Sequence, residues 1–180
     1  MTALLLTPGA SATRDQPALV AIDVAAAGLG VEVERIDLPR RAERAVDVVA
    51  AAAAELRQRH ATVVLGGRSY GGRVCSMAVA GGCDASGLVL VSYPLHPPGR
   101  PAQLRVDHFP AIDVPCLFVS GTRDAFATRE ELEEHAKAIA GPVTHVWCEG
   151  ADHGMRGRDQ EVAGAVSAWL ATLRLPDVSS

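Results

Sequence analysis

Along this chain, short blocks in which almost every position is apolar alternate with longer stretches in which apolar residues return every three or four positions. Residues 3–6, 62–65, 88–93, 116–120 and 143–148 are blocks of the first kind and read as strands covered on both faces. Residues 31–36 alternate apolar with charged side chains, which predicts a strand near a sheet edge with one wetter face. Between residues 41 and 59, Ala42, Ala45, Val46, Val49, Ala52, Ala53 and Leu56 mark a long amphipathic helix, and Val162, Ala165, Val166, Trp169, Leu170 and Leu173 mark a last one. Asp15 reads as the cap of a first helix, with Pro17 in its first turn and Leu19, Val20, Val24 and Ala27 on its buried side. Residues 74–80 have helical character, and Thr128-Arg129-Glu130-Glu131 is a capping box opening a helix toward Ala140. Strands alternating with helices define the α/β class: a three-layer α/β/α sandwich around a six-stranded, mostly parallel sheet with right-handed connections.

In such sheets functional residues sit just beyond the carboxyl ends of strands. The most pointed case is Thr62-Val63-Val64-Leu65-Gly66-Gly67-Arg68-Ser69-Tyr70-Gly71-Gly72-Arg73, an apolar run driving into G-x-S-x-G and on into a helix. This is the strand, sharp turn and helix of a nucleophile elbow, with Ser69 at its tip. Gly67 and Gly71 answer a local need, because strand and helix approach closely on either side of a strained serine. The pentapeptide alone is short enough to arise by chance, so its context has to carry it.

A serine hydroxyl attacks only when a base takes its proton, and the base needs an acid to fix its tautomer. Asp124 directly follows the fifth strand and His153 the sixth, so the chain order is Ser69, Asp124, His153, the order expected of an α/β-hydrolase. Asp152 is the nearest competing carboxylate. His60, His135 and His145 fall within or at the ends of regular elements, and His96 and His108 lie in the proline-rich connection of residues 94–115. The oxyanion of a tetrahedral intermediate needs two N–H donors: Tyr70, which follows the nucleophile, and either Gly9 or Ala10, since Pro8 has no N–H. Arg68, Arg73 and Arg123 flank the candidates, where arginines either pair with nearby carboxylates or bind an anionic group.

Composition narrows the classes. With 180 residues, one domain is expected over residues 1–175, with a loose tail at 176–180. A net charge of -4 and no broad basic cluster exclude the electrostatic footprint of a nucleic-acid binder. The apolar N-terminal run is too short for a signal peptide, so a soluble, cytoplasmic protein off the membrane is expected. Cys75, Cys83, Cys116 and Cys148 lie in or beside apolar segments and read as reduced, buried thiols rather than metal ligands. Neither a P-loop nor a dinucleotide fingerprint occurs, so no cofactor and no metal are expected.

The segments Leu4-Leu5-Leu6-Thr7-Pro8-Gly9-Ala10, Gly66-Gly67-Arg68-Ser69-Tyr70-Gly71-Gly72-Arg73, Ser92-Tyr93-Pro94-Leu95-His96-Pro97-Pro98-Gly99 and Phe118-Val119-Ser120-Gly121-Thr122-Arg123-Asp124 together resemble small α/β-hydrolases of the KANL3/Tex30-like type, distantly similar to dienelactone hydrolases. The resemblance implies a minimal hydrolase fold with strand order 2-1-3-4-5-6, and the triad carries over to Ser69, Asp124 and His153. Two departures stand out: dienelactone hydrolases have a cysteine nucleophile where this chain has Ser69, and many hydrolases have His-Gly where this chain has Pro8-Gly9. The expected protein is a serine esterase or thioesterase-like enzyme acting on a small-molecule ester, without a lid domain. Tyr93, Leu95 and His96 are expected near the rim of a shallow pocket, and a homodimer is possible. The alternative is a catalytically silent binding or scaffolding protein of the same fold; perhydrolase or lyase chemistry would use the same residues.

Overall fold

The computed structural model describes residues 1–173, so the expected tail at 176–180 lies outside the described residues. Six parallel strands form one sheet in the order β2-β1-β3-β4-β5-β6: β1 (Thr2–Thr7), β2 (Glu32–Arg35), β3 (Thr62–Arg68), β4 (Gly87–Val91), β5 (Cys116–Gly121) and β6 (Val143–Cys148). Five helices connect and cover them: α1 (Pro17–Ala27), α2 (Ala42–Arg57), α3 (Tyr70–Ala80), α4 (Arg129–Ala136) and α5 (Asp159–Thr172).

Successive strand side chains point to opposite faces, so the apolar blocks feed two cores. Leu5, Leu65, Leu90 and Phe118 pack with Val49 and Leu56 of α2, Val74 and Ala78 of α3 and Leu132 of α4. Their neighbours Leu4, Leu6, Val64, Val89 and Leu117 pack with Leu19 and Ile22 of α1 and Val166 and Leu170 of α5. These central positions have no solvent exposure, which is why the blocks carry no polar alternation; each such aliphatic side chain contributes about 1.5–3 kcal/mol by leaving water. The edge strand β2 is the exception, with Glu32 exposed and Val33 to Arg35 half-buried.

Two expectations about α1 are corrected. Its cap position is Gln16, with no side-chain capping bond, and Asp15 instead pairs with Arg35 at 2.9 Å. Its buried face is Ala18, Leu19, Ile22 and Ala26, while Val24 is 71 % exposed and Val20 also faces solvent. The capping box of α4 forms as read, with Glu131 N–H donating to Thr128 Oγ1 and Thr128 N–H to Glu131, but the helix stops at Ala136. The two ends of the connection 94–115 turn inward: residues 94–96 are buried, Phe109 and Ile112 are fully so, and Phe109 meets Tyr93 at 5.3 Å between ring centroids, while residues 98–104 stay exposed. The segment around Phe109 packs beside α3 as part of the core.

The topology places the site. From β1 the chain steps outward to β2, then returns to β3 on the other side of β1. The segments leaving β1 and β3 therefore lead to helices on opposite faces, α1 and α3, and open a crevice at the strand ends.

Candidate active site

Ser69 sits between β3 and α3 at φ 50°, ψ −114°, a left-handed region that non-glycine residues rarely enter. Its backbone is held there, because its N–H donates to Val91 O at 2.8 Å and its carbonyl accepts the Arg73 N–H at 3.0 Å. A methyl group on Gly71 would stand 2.5 Å from the Thr7 carbonyl oxygen, and one on Gly67 would overlap the Thr7 hydroxyl. That is the physical demand behind the two glycines of the elbow.

Ser69 Oγ lies 2.9 Å from His153 Nε2. The other ring nitrogen, Nδ1, lies 2.8 Å and 3.0 Å from the two oxygens of Asp124. Asp124 is buried and accepts a further bond, at 2.8 Å, from the Phe126 N–H. With the carboxylate accepting from Nδ1–H, Nε2 is left as the acceptor facing the serine hydroxyl. Phe126 also stacks on the imidazole, with ring centroids 3.8 Å apart. Asp152, the competing carboxylate, turns away and accepts the Gly154 N–H at 2.8 Å.

Arg68, one residue before the serine, donates from Nη2 to the His153 carbonyl at 2.5 Å, tying the elbow to the histidine loop. Burial lowers its pKa, while the charges of Asp124, Asp159 and Asp152 oppose that shift. The sequence marks Arg68 only as a neighbour of the serine and does not mark Phe126. A large residue two positions after a strand-end aspartate was the only available signal for Phe126.

The Tyr70 N–H opens α3 and has no acceptor within the helix. Across the crevice, the Gly9 N–H is occupied by Gln16 Oε1 at 3.1 Å, whereas the Ala10 N–H has no partner among the described residues. Of the two donors the sequence left open, Ala10 is therefore the free one. A pocket of about 390 Å³ lies here, lined by Gly9, Ala10, Ser11, Leu38, Arg40 and Tyr70. The Tyr70 hydroxyl donates to Pro39 O at 2.8 Å, fixing one wall, and burial raises its pKa.

Tyr93, Leu95 and His96 lie below this surface rather than on its rim. Tyr93 and Leu95 are 1 % and 0 % exposed, and the Tyr93 hydroxyl donates to Arg105 O at 2.8 Å. His96 is buried between Pro97 O and Glu131, and its N–H donates to Phe126 O at 3.1 Å. The reason is the inward fold of the connection, which its lack of periodicity did not reveal.

A second serine–histidine contact occurs within α3: Ser76 Oγ stands 2.8 Å from His108 Nε2. Ser76 is fully buried, and its hydroxyl donates to Arg73 O at 2.7 Å. Its one proton being spent there, the bond to His108 has the imidazole N–H as donor. Burial, with help from the Arg73 charge, pushes the His108 pKa down to about 4. Among the described residues no carboxylate bonds the ring. The arrangement has the opposite polarity from that of Ser69.

A serine at the tip of a strand-turn-helix, facing a histidine and an aspartate that follow later strands of one parallel sheet, is the arrangement that defines α/β-hydrolase-fold proteins. The chain belongs to the alpha/beta hydrolase domain family, whose profile matches residues 1–171. Its fold is similar to that of Est1E from Butyrivibrio proteoclasticus with ferulic acid bound, at 15 % identity and a TM-score of 0.81, covering 96 % of this chain and 89 % of that one. A monoacylglycerol lipase from Paleococcus ferrophilus matches at 16 % identity and 0.77, covering 95 % and 94 %. The esterase domain of a Rhodothermus marinus protein matches at 17 % and 0.75, covering 94 % and 86 %. At these identities the likeness is one of fold. Among the described residues no helix is long and apolar enough to cross a membrane, and no group of three or more His, Cys, Asp or Glu side chains is placed to hold a metal ion.

Proposed function

We propose that this protein is a serine hydrolase that transfers the acyl group of a small ester or thioester to water. The observation that carries the reading is the continuous hydrogen-bonded line from Ser69 Oγ through both nitrogens of His153 to Asp124. Ser69 Oγ attacks the acyl carbon while His153 Nε2 takes its proton, and Asp124 stabilises the imidazolium that results. The carbonyl oxygen becomes an oxyanion held by the N–H groups of Tyr70 and Ala10. Collapse expels the alcohol or thiol, which takes the proton from His153. Water then attacks the acyl-serine by the same steps in reverse order, with His153 as base.

The pocket beside Tyr70 and Ala10 is small, half-open and bordered by Leu38 and Arg40, which suits short or surface-reaching acyl groups. Ferulic acid is bound to Est1E, so methyl ferulate is the first larger ester to try beside p-nitrophenyl acetate. Within the family, the motifs around Gly9, Ser69, Tyr93 and Asp124 support assignment to the KANL3/Tex30-like type. The test is turnover of these esters by the wild-type protein and by His153→Ala. Turnover lowered by three or more orders of magnitude in the variant supports the reading; equal turnover in both, or none in a correctly folded wild type across short and long acyl chains, contradicts it.

A further inference from the structure

Six described arginines are half-buried, and they divide sharply. Arg35, Arg57 and Arg158 form ion pairs with Asp15 and Asp23, Asp84 and Glu161. Arg68 donates to the His153 carbonyl. Arg73 and Arg105 donate their guanidinium hydrogens to nothing among the described residues, and Arg73 Nε is fully enclosed without a partner. In a chain with 21 acidic residues, two adjacent partly desolvated cations without an acid are a cost that folding alone does not explain.

The two belong to one cleft of about 550 Å³ beside α3, lined also by His108, Met77, Leu104 and Val106. They are close enough for the charge of Arg73 to help burial in lowering the pKa of Arg105. The site is built rather than accidental. Arg105 is fixed through both backbone polar groups: its N–H donates to Leu95 O at 2.9 Å, and its carbonyl accepts the buried Tyr93 hydroxyl at 2.8 Å. His108 is fixed by Ser76 and stays neutral, so it adds no third positive charge. Asp107 lies exposed on the rim and bonds neither arginine.

We infer that this cleft is a binding site for the oxyanion of a small organic acid, held by the guanidinium groups of Arg73 and Arg105 against the apolar wall of Met77, Leu104 and Val106. It is distinct from the proposed active site, since none of its lining residues belongs to the Ser69 constellation, and Arg73 begins the cleft one helical turn beyond the nucleophile. A carboxylate and a phosphate share the chemistry. An aromatic or short aliphatic body would occupy the apolar wall.

The test is calorimetric titration of the whole protein with benzoate, phenyl phosphate and, as a neutral control, benzyl alcohol. Saturable binding of at least one anion is expected, with none for the alcohol. Affinity falls at least tenfold in Arg73→Gln and in Arg105→Gln. Arg105→Glu supplies the missing partner from within the chain, so it abolishes anion binding while the melting temperature stays equal or rises, which also guards against misfolding of the other variants. Protein whose Ser69 has been blocked by a fluorophosphonate binds as before. Absence of saturable binding, binding that survives Arg105→Glu, or binding lost on blocking Ser69 overturns the inference.

Discussion

Two serine–histidine contacts of almost equal length stand at helix α3, 2.9 Å at Ser69 just before its first turn and 2.8 Å at Ser76 within it, and they have opposite chemistry. At Ser69 the hydroxyl has, among the described residues, no acceptor other than His153, whose far nitrogen is held by the buried Asp124. At Ser76 the hydroxyl donates to a main-chain carbonyl, the imidazole donates to the serine, and among the described residues no acid bonds the ring behind it. Distance therefore does not identify a nucleophile. What identifies it is the direction of the proton, together with the acid that fixes that direction and a free N–H at the helix start to receive the charge.

The contrast breaks most decisively at the proposed nucleophile. Ser69→Ala removes at least three orders of magnitude of ester turnover with the fold intact, as steady-state kinetics and circular dichroism would show. Asp124→Asn, which keeps the shape but permits the wrong tautomer of His153, lowers kcat by about 10³–10⁴ with little change in KM. Arg68→Gln frees the histidine loop and lowers kcat by about tenfold, and Arg68→Lys recovers part of that loss. Ser76→Ala leaves turnover within about threefold of wild type and instead costs about 1–2 kcal/mol of stability in urea titration, since it strands the buried His108 N–H.

The last effect, spread over the widest range of conditions, is the acid response of His108. Its folded pKa, about 4, lies below the ordinary value of 6.5. Between those values the unfolded chain takes up a proton that the folded one does not, so this residue lowers stability as pH falls through that window and adds nothing further below it. The slope it contributes is at most about 1.4 kcal/mol per pH unit. His108→Gln keeps an N–H for Ser76 and removes the titration, so its stability declines less steeply between about pH 6.5 and 4. Equal slopes in the two proteins would contradict the assignment.

The strand blocks could be read directly because burial on both faces leaves a continuous apolar signature. The order Ser69, Asp124, His153 could be read because each follows such a block. Helix α1 shows the limit: in Pro17–Ala27 only Asp23 is polar, so periodicity could not choose between the Leu19 and Ile22 face that is buried and the Val20 and Val24 face that is not. Asp15 looked like a cap from its neighbours alone, and only tertiary packing brings Arg35 to it. Phe126 over His153, Gln16 on Gly9 and Arg105 beside Arg73 are likewise contacts between distant segments. Tyr93 and Leu95 share the strand-end position of functional residues, yet an apolar connection folded inward converts that position into core.

The central claim is that of the two serines paired with a histidine, Ser69 before α3 and Ser76 within it, only Ser69 is activated. Fluorophosphonate labelling of the wild type, Ser69→Ala and Ser76→Ala, with the adduct located by peptide mass mapping, tests it most directly. A single adduct on Ser69, absent in Ser69→Ala and unchanged in Ser76→Ala, is the predicted result. An adduct on Ser76, or labelling that persists in Ser69→Ala, would contradict it.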